Sequence, residues 1–470
     1  MEEKALNKKA FKAAIMYIFN NFLVKAISVL TVPIFSRILS TTEYGIVSNF
    51  QSWLSILTII LSLDLQTSIQ RAKIDYEKNL DKYISSILSL SSIVIIVIAV
   101  FSNLFSGFVQ NILKLDNFML NYIYLYIFFN CAFNFYQIKC RVQLRYKIVT
   151  LISITTSLLS VAISLLLITF MKDLAMARII GITLPTLIVS IFLYIKTFKL
   201  GKTFINLEYW KYSLKYSLPL IPHTLANNML SQFDRVMITN IKGYDSTALY
   251  AMAYNVATLL SLVNTSFSNA WTPWFFEKMK LERYDEIKKI SKYYFLVFWM
   301  ISIVLLAGAP EILRIFADQK YYAAVSVIPP VIIGLVFQFV YSFCVNIESY
   351  YKKNKFIPIG TVLSCIINII LNAIFIPIYG YTAAAYTTLV SYILLLLFHY
   401  IIAKRLTDIN KLYDIKYFIY MLLITFFIGI YFIIIYNNLL LRCISLIVIF
   451  TIILVKNKEQ IKKLKKYRKA

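Results

Sequence analysis

Fourteen long apolar stretches, separated by short polar segments, dominate this chain of 470 residues. A helix needs roughly 20 apolar residues to cross the hydrocarbon core of a bilayer. The stretches span approximately 12–39, 44–70, 83–107, 118–138, 148–171, 177–195, 213–241, 246–276, 292–313, 322–350, 356–377, 380–403, 417–436 and 440–455. Their continuity excludes a transmembrane β-barrel, whose strands alternate in hydrophobicity. We therefore predict an all-α polytopic membrane protein with about fourteen transmembrane helices.

The basic residues fall in every second interval between these stretches. With the N-terminus placed in the cytoplasm, 38 of the 48 Lys and Arg residues lie inside and 8 lie outside. Such a bias over short loops is the positive-inside signature, so both termini are predicted to be cytoplasmic. Topology accounts for most of the net charge of +26, and no nucleic-acid partner is expected. The basic segment 456–470 is either a solvated tail or a contact with anionic lipid headgroups of the bilayer.

The polar intervals are too short for a soluble catalytic domain, since the longest covers about 17 residues near 196–212. The chain has no GxxxxGK[ST] phosphate loop and no HExxH zinc motif. Its five cysteines have neither disulfide nor zinc spacing, and we interpret them as packing residues. The sequence therefore predicts a carrier or channel that is not an enzyme and that holds no metal and no cofactor.

An internal repeat links the two halves of the chain. STTEYGIVSNFQSWLS (Ser40 to Ser55) matches STALYAMAYNVATLLS (Ser246 to Ser261) at 6 of 16 positions with an offset of 206 residues. Each repeat contains six spans, an even number, so both enter the membrane in the same direction. We predict two six-helix lobes related by a pseudo-two-fold axis, 1–200 and 201–408, followed by a terminal helix pair and basic tail, 409–470.

Three segments carry a resemblance to the bacterial polysaccharide-export flippases: VPIFSRILSTTEYG (Val32 to Gly45), YSLPLIPHTLANNMLSQFDRVMITNIKGYDSTALYAMAYNVATLL (Tyr216 to Leu260) and AWTPWFFEKM (Ala270 to Met279). The likeness covers most of the chain and places it in the multidrug/oligosaccharidyl-lipid/polysaccharide exporter superfamily. The span count of fourteen looks more like the lipid II flippases than the O-antigen flippases.

The resemblance implies two lobes around a V-shaped cavity in the bacterial inner (cytoplasmic) membrane. It implies flipping of an undecaprenyl-diphosphate-linked oligosaccharide to the outer leaflet by alternating access, for cell-surface polysaccharide such as capsule. A polysaccharide polymerase is an expected partner.

Two other functions stay open at this point. A cation-coupled multidrug exporter on the same scaffold would favour acidic groups in the cavity. A membrane-embedded polysaccharide polymerase would need a large outer loop, whereas the outer turns here have about 4–12 residues.

Lys25 lies near the middle of the first span and is the first candidate for substrate binding. A charged residue at this depth costs about 2.5–3.5 kcal/mol on insertion scales, so it usually faces a cavity or a partner. We expect it to contact the diphosphate; a salt bridge or a snorkelling side chain is the alternative. Asn21 lies one turn away and is expected to bind sugar hydroxyls, and the family pattern places Arg37 at the cavity edge.

The seventh span supplies a second group of candidates. Arg235 is expected to bind the diphosphate through two hydrogen bonds, or else to lock the lobes against an acid. His223 and Asn227 are four residues apart, share a helix face and are expected to bind substrate; packing roles are the alternative. Asp234 need not pair with Arg235, because adjacent helix positions point about 100° apart.

Two acids are candidates for coupling transport to Na⁺ or H⁺. Asp64 is expected near the outer end of the second span, with pairing to Arg71 as the alternative. Asp234 is expected either to couple an ion or to form a salt bridge between lobes.

Three prolines are candidates for gating, because proline removes a backbone donor and kinks a helix. Pro33 is expected to break the first span, and Pro219 and Pro222 the seventh. We also expect Trp271 and His399 at membrane interfaces.

Overall fold

The computed structural model describes the backbone of residues 2–456 and most side chains from residue 16 onward. Within this range the chain forms nineteen α-helices: α1 (Glu2–Ile38), α2 (Thr41–Leu61), α3 (Ile69–Asp75), α4 (Leu80–Leu104), α5 (Ser106–Leu113), α6 (Asn117–Val142), α7 (Tyr146–Phe170), α8 (Leu174–Gly201), α9 (Leu207–Ser217), α10 (Ile221–Lys242), α11 (Tyr244–Lys280), α12 (Tyr284–Ala307), α13 (Ala309–Phe316), α14 (Ile328–Tyr350), α15 (Phe356–Tyr379), α16 (Tyr381–Leu406), α17 (Ile409–Leu412), α18 (Ile415–Ile435) and α19 (Leu439–Lys456). Short 3-10 helices cover Leu65–Ser68, Glu77–Asn79 and Gln319–Val327. The predicted basic tail beyond residue 456 lies outside the described residues.

Each of the fourteen predicted spans contains a helix. Twelve helices of the described chain are long and apolar enough to cross a membrane. The other two predicted spans correspond to α10, which is more polar, and α19, whose apolar part is the shorter Leu439–Ile453. Large apolar side chains such as Leu30, Phe170 and Ile434 are more than 70% exposed, as lipid-facing residues are. The all-α, multi-pass membrane fold is confirmed.

The helices form two compact units. The first contains Met1–Ala251 and Ile357–Thr387, and the second contains Met252–Phe356 and Thr388–Ala470. In the first unit, α8 packs against α4, α6 and α7, α2 packs against α10, and α1 packs against α7. In the second unit, α12, α14 and α18 pack together around an aromatic core, in which the Phe298 and Phe339 rings stack at 4.0 Å. The division into lobes 1–200 and 201–408 stays a prediction.

Polar residues at the helix starts explain where several spans begin. Ser40 caps α2 in a reciprocal arrangement with Glu43, in which each side chain binds the other residue's backbone N–H. Asp116 and Asp173 accept hydrogen bonds from the first turns of α6 and α8. These caps satisfy backbone donors that a helix leaves unpaired at its N-terminus.

The seventh predicted span, 213–241, is two helices with a break at residues 218–220. Pro219 lies in the break, and Pro222 lies in the first turn of α10, where no intrahelical N–H bond is needed. The prolines therefore separate α9 from α10, as expected.

The expectation that Pro33 breaks the first span is wrong. α1 continues through Pro33 to Ile38. The Arg37 Nη1 donates to the Pro33 carbonyl oxygen at 2.7 Å, and the Ser36 hydroxyl donates to it at 3.1 Å. An internal proline removes one backbone donor, a loss that membrane helices tolerate.

The expected position of Asp64 is also wrong. α2 ends at Leu61, and Asp64 follows it in a left-handed conformation with φ of 46°. Asp64 thus lies at the end of α2 that leads to the basic segment 71–82. The predicted topology puts this segment on the cytoplasmic side, whereas Asp64 was expected near the outer end of the span. Its alternative partner Arg71 pairs with Asp75 at 3.0 Å instead. A hydrogen bond from the Tyr212 hydroxyl, with the Arg71 guanidinium, lowers the pKa of Asp75.

Candidate substrate cavity

Helix α10 carries an unusually polar face for a predicted membrane helix. Its sequence, IPHTLANNMLSQFDRVMITNIK, places Asn228, Gln232 and Arg235 at helical spacings of four and three, so they lie on one face. Two contacts hold this helix against α2. The Asn228 Nδ2 donates to the Ser55 hydroxyl at 2.7 Å, and the Phe233 ring meets the Trp53 ring edge-on at 6.2 Å.

The polar face of α10 lines a cavity of about 530 Å³ within the first unit. Helices α2, α6, α8 and α10 form its walls. The lining residues are Phe50, Gln51, Leu54, Ser55, Thr58, Ile59, Tyr126, Asn130, Ile179, Ile182, Thr183, Asn228, Gln232 and Arg235. They combine amides and hydroxyls with apolar and aromatic surface, which is the usual character of a small-molecule site.

Arg235 carries the formal charge among these lining residues, none of which is an Asp or Glu. Its Nη1 donates to the Gln232 Oε1 at 2.5 Å, which orients the guanidinium along the cavity wall. Guanidinium groups bind phosphate oxygens through paired, charge-assisted hydrogen bonds. The cavity is thus suited to an anionic group beside polar, hydroxyl-rich surface.

Asp234 points away from this cavity into a buried polar cluster. Its carboxylate accepts hydrogen bonds from the Tyr250 hydroxyl at 2.5 Å and from the Asn372 Nδ2 at 2.7 Å. Asn372 also bonds to Asn368 and to the Thr387 hydroxyl. Asp234, Asn372 and Thr387 are almost completely buried. Successive residues of one helix therefore serve two different environments, as the 100° rotation per residue requires.

Lys25 and Asn21 do not line this cavity. On α1 they share one exposed stripe with Ser28, at spacings of four and three residues. The exposed apolar residues Phe19 and Leu30 lie on the opposite side of the helix. The stripe thus faces away from Phe19 and Leu30, and the exposed Phe22 lies between the two sides.

The remaining predicted substrate residues also lie outside the cavity. His223 is partly buried near the start of α10, and Asn227 is exposed one turn further along. Arg37 is exposed at the end of α1, where it bonds to the Pro33 carbonyl oxygen. The structure thus brings Arg235 alone, of the six predicted substrate residues, to this cavity.

Sequence reasoning missed most of the polar lining, including Gln51, Asn130 and Gln232. Asn228 and Gln232 could have been found, because they share a face with Arg235. Gln51 and Asn130 are single polar residues in apolar spans, and only packing of α2, α6 and α10 shows that they face one space. Trp271 was misplaced at an interface: it is 3% exposed and packs against Tyr294 and other aromatic rings.

Asp64 follows the C-terminal end of α2. At its N-terminal end, the first residues of α2 contact the first residues of α11. We call this the α2–α11 contact, formed by Thr41, Thr42, Gly45, Tyr244 and Asp245. The Asp245 Oδ1 accepts hydrogen bonds from the Thr41 hydroxyl at 2.5 Å and the Thr42 hydroxyl at 2.8 Å. A Cβ atom added to Gly45 would lie 2.0 Å from the Tyr244 carbonyl oxygen, so only glycine permits this approach.

Several known proteins are similar to this chain. Protein 1 of the Lsg locus of Haemophilus influenzae is 26% identical over 374 residues, which cover 76% of this chain and 89% of that protein. Among solved structures, the lipid II flippase MurJ in an inward closed conformation aligns with a TM-score of 0.66 and 18% identity, covering 96% of this chain and all of that one.

A point mutant of the Vibrio cholerae MATE transporter VcmN aligns with a TM-score of 0.58 and 13% identity, covering 86% of this chain and 97% of that one. At these identities the structural matches establish a shared fold. The family model described as "Polysaccharide biosynthesis protein" matches residues 10–279, more than half of the chain. The protein therefore belongs to this polysaccharide biosynthesis family and has the fold shared by flippases and multidrug exporters of the exporter superfamily named above.

Proposed function

We propose that this protein flips an undecaprenyl-diphosphate-linked oligosaccharide from the cytoplasmic to the outer leaflet of the bacterial cell membrane. Alternating access of a polar cavity would carry the headgroup while the lipid tail stays in the bilayer. One observation carries the proposal: the cavity of the first unit is lined by Arg235, amides and hydroxyls, with no carboxylate among its lining residues.

The positive charge of Arg235 in the cavity favours an anionic substrate over a cationic one. A diphosphate loses its hydration when it enters a membrane protein, and a cation within hydrogen-bond reach offsets that cost. Arg235 provides such a cation, and Gln51, Asn130 and Gln232 provide partners for sugar hydroxyls. Lys25, on the exposed polar stripe of α1, would provide a second cation during passage.

The structure offers less support for a multidrug exporter or for a polysaccharide polymerase. A cavity with a cation and no carboxylate is poorly matched to the cationic substrates of many drug exporters. A polymerase would need an outer catalytic segment, whereas the turns assigned to the outer side hold short helices at most, such as Ser106–Leu113 and Ala309–Phe316.

Gene deletion tests the proposed function directly. We expect lipid-linked oligosaccharide to accumulate on the cytoplasmic side and surface polysaccharide to fall, because synthesis continues while translocation stops. Extraction and quantification of the lipid-linked pool measures the effect, and the intact gene on a plasmid is the control. Unchanged lipid pools accompanied by new drug sensitivity would instead support a drug exporter.

The Asp234 cluster is proposed as the site of the coupling cation. Asp234, Asn368, Asn372 and Thr387 bring one carboxylate and several neutral oxygens together in a buried setting. Oxygen ligands suit Na⁺, and a buried carboxylate also suits H⁺. We expect Asp234→Asn to weaken binding of radioactive ²²Na⁺ to purified protein at least tenfold. Asp245→Asn is the matched control, and equal Na⁺ binding by both variants would exclude this site.

Both termini are proposed to be cytoplasmic, because this orientation puts 38 of 48 basic residues inside. A C-terminal alkaline phosphatase fusion should be inactive and a fluorescent protein fusion should be bright. A fusion at residue 173, between α7 and α8, should show the opposite pattern. An active C-terminal phosphatase would overturn the orientation.

A further inference from the structure

Two ionisable side chains are completely buried against each other inside the second unit. Glu348 on α14 and His399 on α16 are each 0% exposed, and the His399 Nδ1 lies 2.7 Å from the Glu348 Oε1. His399 was expected at the membrane interface, and this expectation is wrong because its ring packs between α14 and α16. The ring stacks on Tyr341 at 5.6 Å and meets Phe398 edge-on at 5.3 Å.

Each member of the pair has a second polar atom that remains unsatisfied. Within the part of the chain that the structure describes, Glu348 Oε2 and His399 Nε2 have no hydrogen-bond partner. Buried polar atoms are paired in the great majority of cases, and exceptions call for an explanation. A pair that served only to hold two helices together would gain by completing these bonds, or by being replaced with apolar residues.

The charge of the pair depends on the number of protons it holds. With no proton it carries one negative charge, with two it carries one positive charge, and with a single shared proton it is neutral. Burial in an apolar interior disfavours a net charge, so the neutral form is the stable one in this closed packing.

Two titratable side chains lie near the pair in the described part of the chain. Tyr341 on α14 stacks on the His399 ring, and Cys344 lies one turn from Glu348 on the same face of α14; both side chains are neutral near physiological pH. The neighbouring α12 and α18 contribute aromatic residues to this core, including Phe298 and Phe418. A change in the net charge of the pair must therefore accompany entry of water or separation of the helices.

We propose that Glu348 and His399 form a proton-binding site that holds one shared proton in the closed packing and exchanges it with water when α14 and α16 part. The proton leaves the space between His399 Nδ1 and Glu348 Oε1 for water, and on reclosing one proton returns from water. This site is separate from the Asp234 cluster, which belongs to the first unit. Its use as a coupling site for transport rests on the proposed function, whereas proton binding itself does not.

The chain contains two histidines, which makes the site accessible to a direct measurement. Full-length protein labelled with ¹⁵N-histidine in lipid nanodiscs gives two sets of imidazole resonances, and His223→Gln identifies those of His399. Between about pH 5 and 9 we expect the His399 signals to titrate in a step that Glu348→Gln abolishes or shifts by at least one pH unit. Glu277→Gln, at an exposed glutamate of the same unit, is the matched control and should leave the step unchanged.

An unchanged His399 spectrum over the whole pH range, identical in wild type and Glu348→Gln, would overturn the proposal. If Glu348→Gln does not fold, infrared difference spectra of wild type and His399→Gln replace it. A pH-dependent carboxyl signal present in wild type and altered in His399→Gln supports the shared proton, and identical spectra exclude it.

A second experiment tests whether proton binding at Glu348 and His399 is coupled to export. The pH dependence of export should flatten severalfold in His399→Gln while the protein level is retained, and an unaltered pH profile would exclude a coupling role. Failure of the proposed function would be recognised independently, because the deletion strain would then accumulate no lipid-linked oligosaccharide.

Discussion

Replacing Arg235 with alanine is expected to reduce export of the lipid-linked glycan about 10- to 100-fold. The guanidinium lies on the wall of the 530 Å³ cavity and is oriented by Gln232. Hydrogen bonds to charged groups contribute about 1.5–3 kcal/mol, and about 1.4 kcal/mol corresponds to a factor of ten. Surface polysaccharide and the cytoplasmic lipid-linked pool, measured at equal protein level, report the effect.

The matched control for this prediction is Arg141→Ala. Arg141 belongs to the same unit, is exposed, and donates to the Gln137 Oε1 as Arg235 does to Gln232. Arg235→Lys should recover part of the export, because it keeps the charge and loses the paired geometry. Lys25→Ala, tested beside it, measures the contribution of the α1 stripe. Wild-type export in Arg235→Ala would remove the main support for an anionic headgroup in this cavity.

Replacing Gly45 with alanine is expected to disrupt the α2–α11 contact and to reduce export at least tenfold. The added Cβ would lie 2.0 Å from the carbonyl oxygen and 2.6 Å from the carbonyl carbon of Tyr244. These are backbone atoms, so the first turn of α11 must move away. Overpacking of this kind costs about 1–3 kcal/mol, enough to reduce the population of the intact contact by one or two orders of magnitude.

A cysteine pair, T42C/D245C, detects the contact in membranes of strains whose protein lacks the native cysteines. The Thr42 Oγ1 and the Asp245 Oδ1 lie 2.8 Å apart in the native chain, so a disulfide should form more readily with Gly45 than with Gly45→Ala. Gly107→Ala is the matched control, since nothing lies within 4 Å of its added Cβ. Equal cross-linking in all three backgrounds would show that the contact tolerates a side chain.

Much of the architecture could be predicted from the sequence, because the hydrophobicity of each successive segment is enough to locate a membrane helix. Apolar runs of membrane-spanning length located the helices to within a few residues. The break near Pro219 was also predictable, since a proline pair between two polar segments ends a helix. The continuity of α1 through Pro33 was not, because a single proline in a long membrane helix does not by itself show whether the helix ends there.

The candidate site was harder to predict, because a sequence does not state which helix faces meet. Lys25 and Arg235 were both identified as charges within apolar spans, yet only Arg235 lines the cavity. Glu348 and His399 are 51 residues apart and gave no sign of contact until α14 and α16 packed together. Neither Glu348 nor His399 belongs to a recognisable sequence motif, and their pairing arises only from the packing of the two helices.

The sequence by itself determined the all-helical membrane fold and the approximate position of each long helix, since hydrophobic length acts on each segment separately, and its motifs indicated the family. The tertiary structure decided which polar groups share an environment: Arg235 with Gln51 and Asn130, and Asp234 with Asn372. The physical reason is that a membrane helix turns by about 100° per residue, and only packing against its neighbours selects the face that meets lipid, cavity or core.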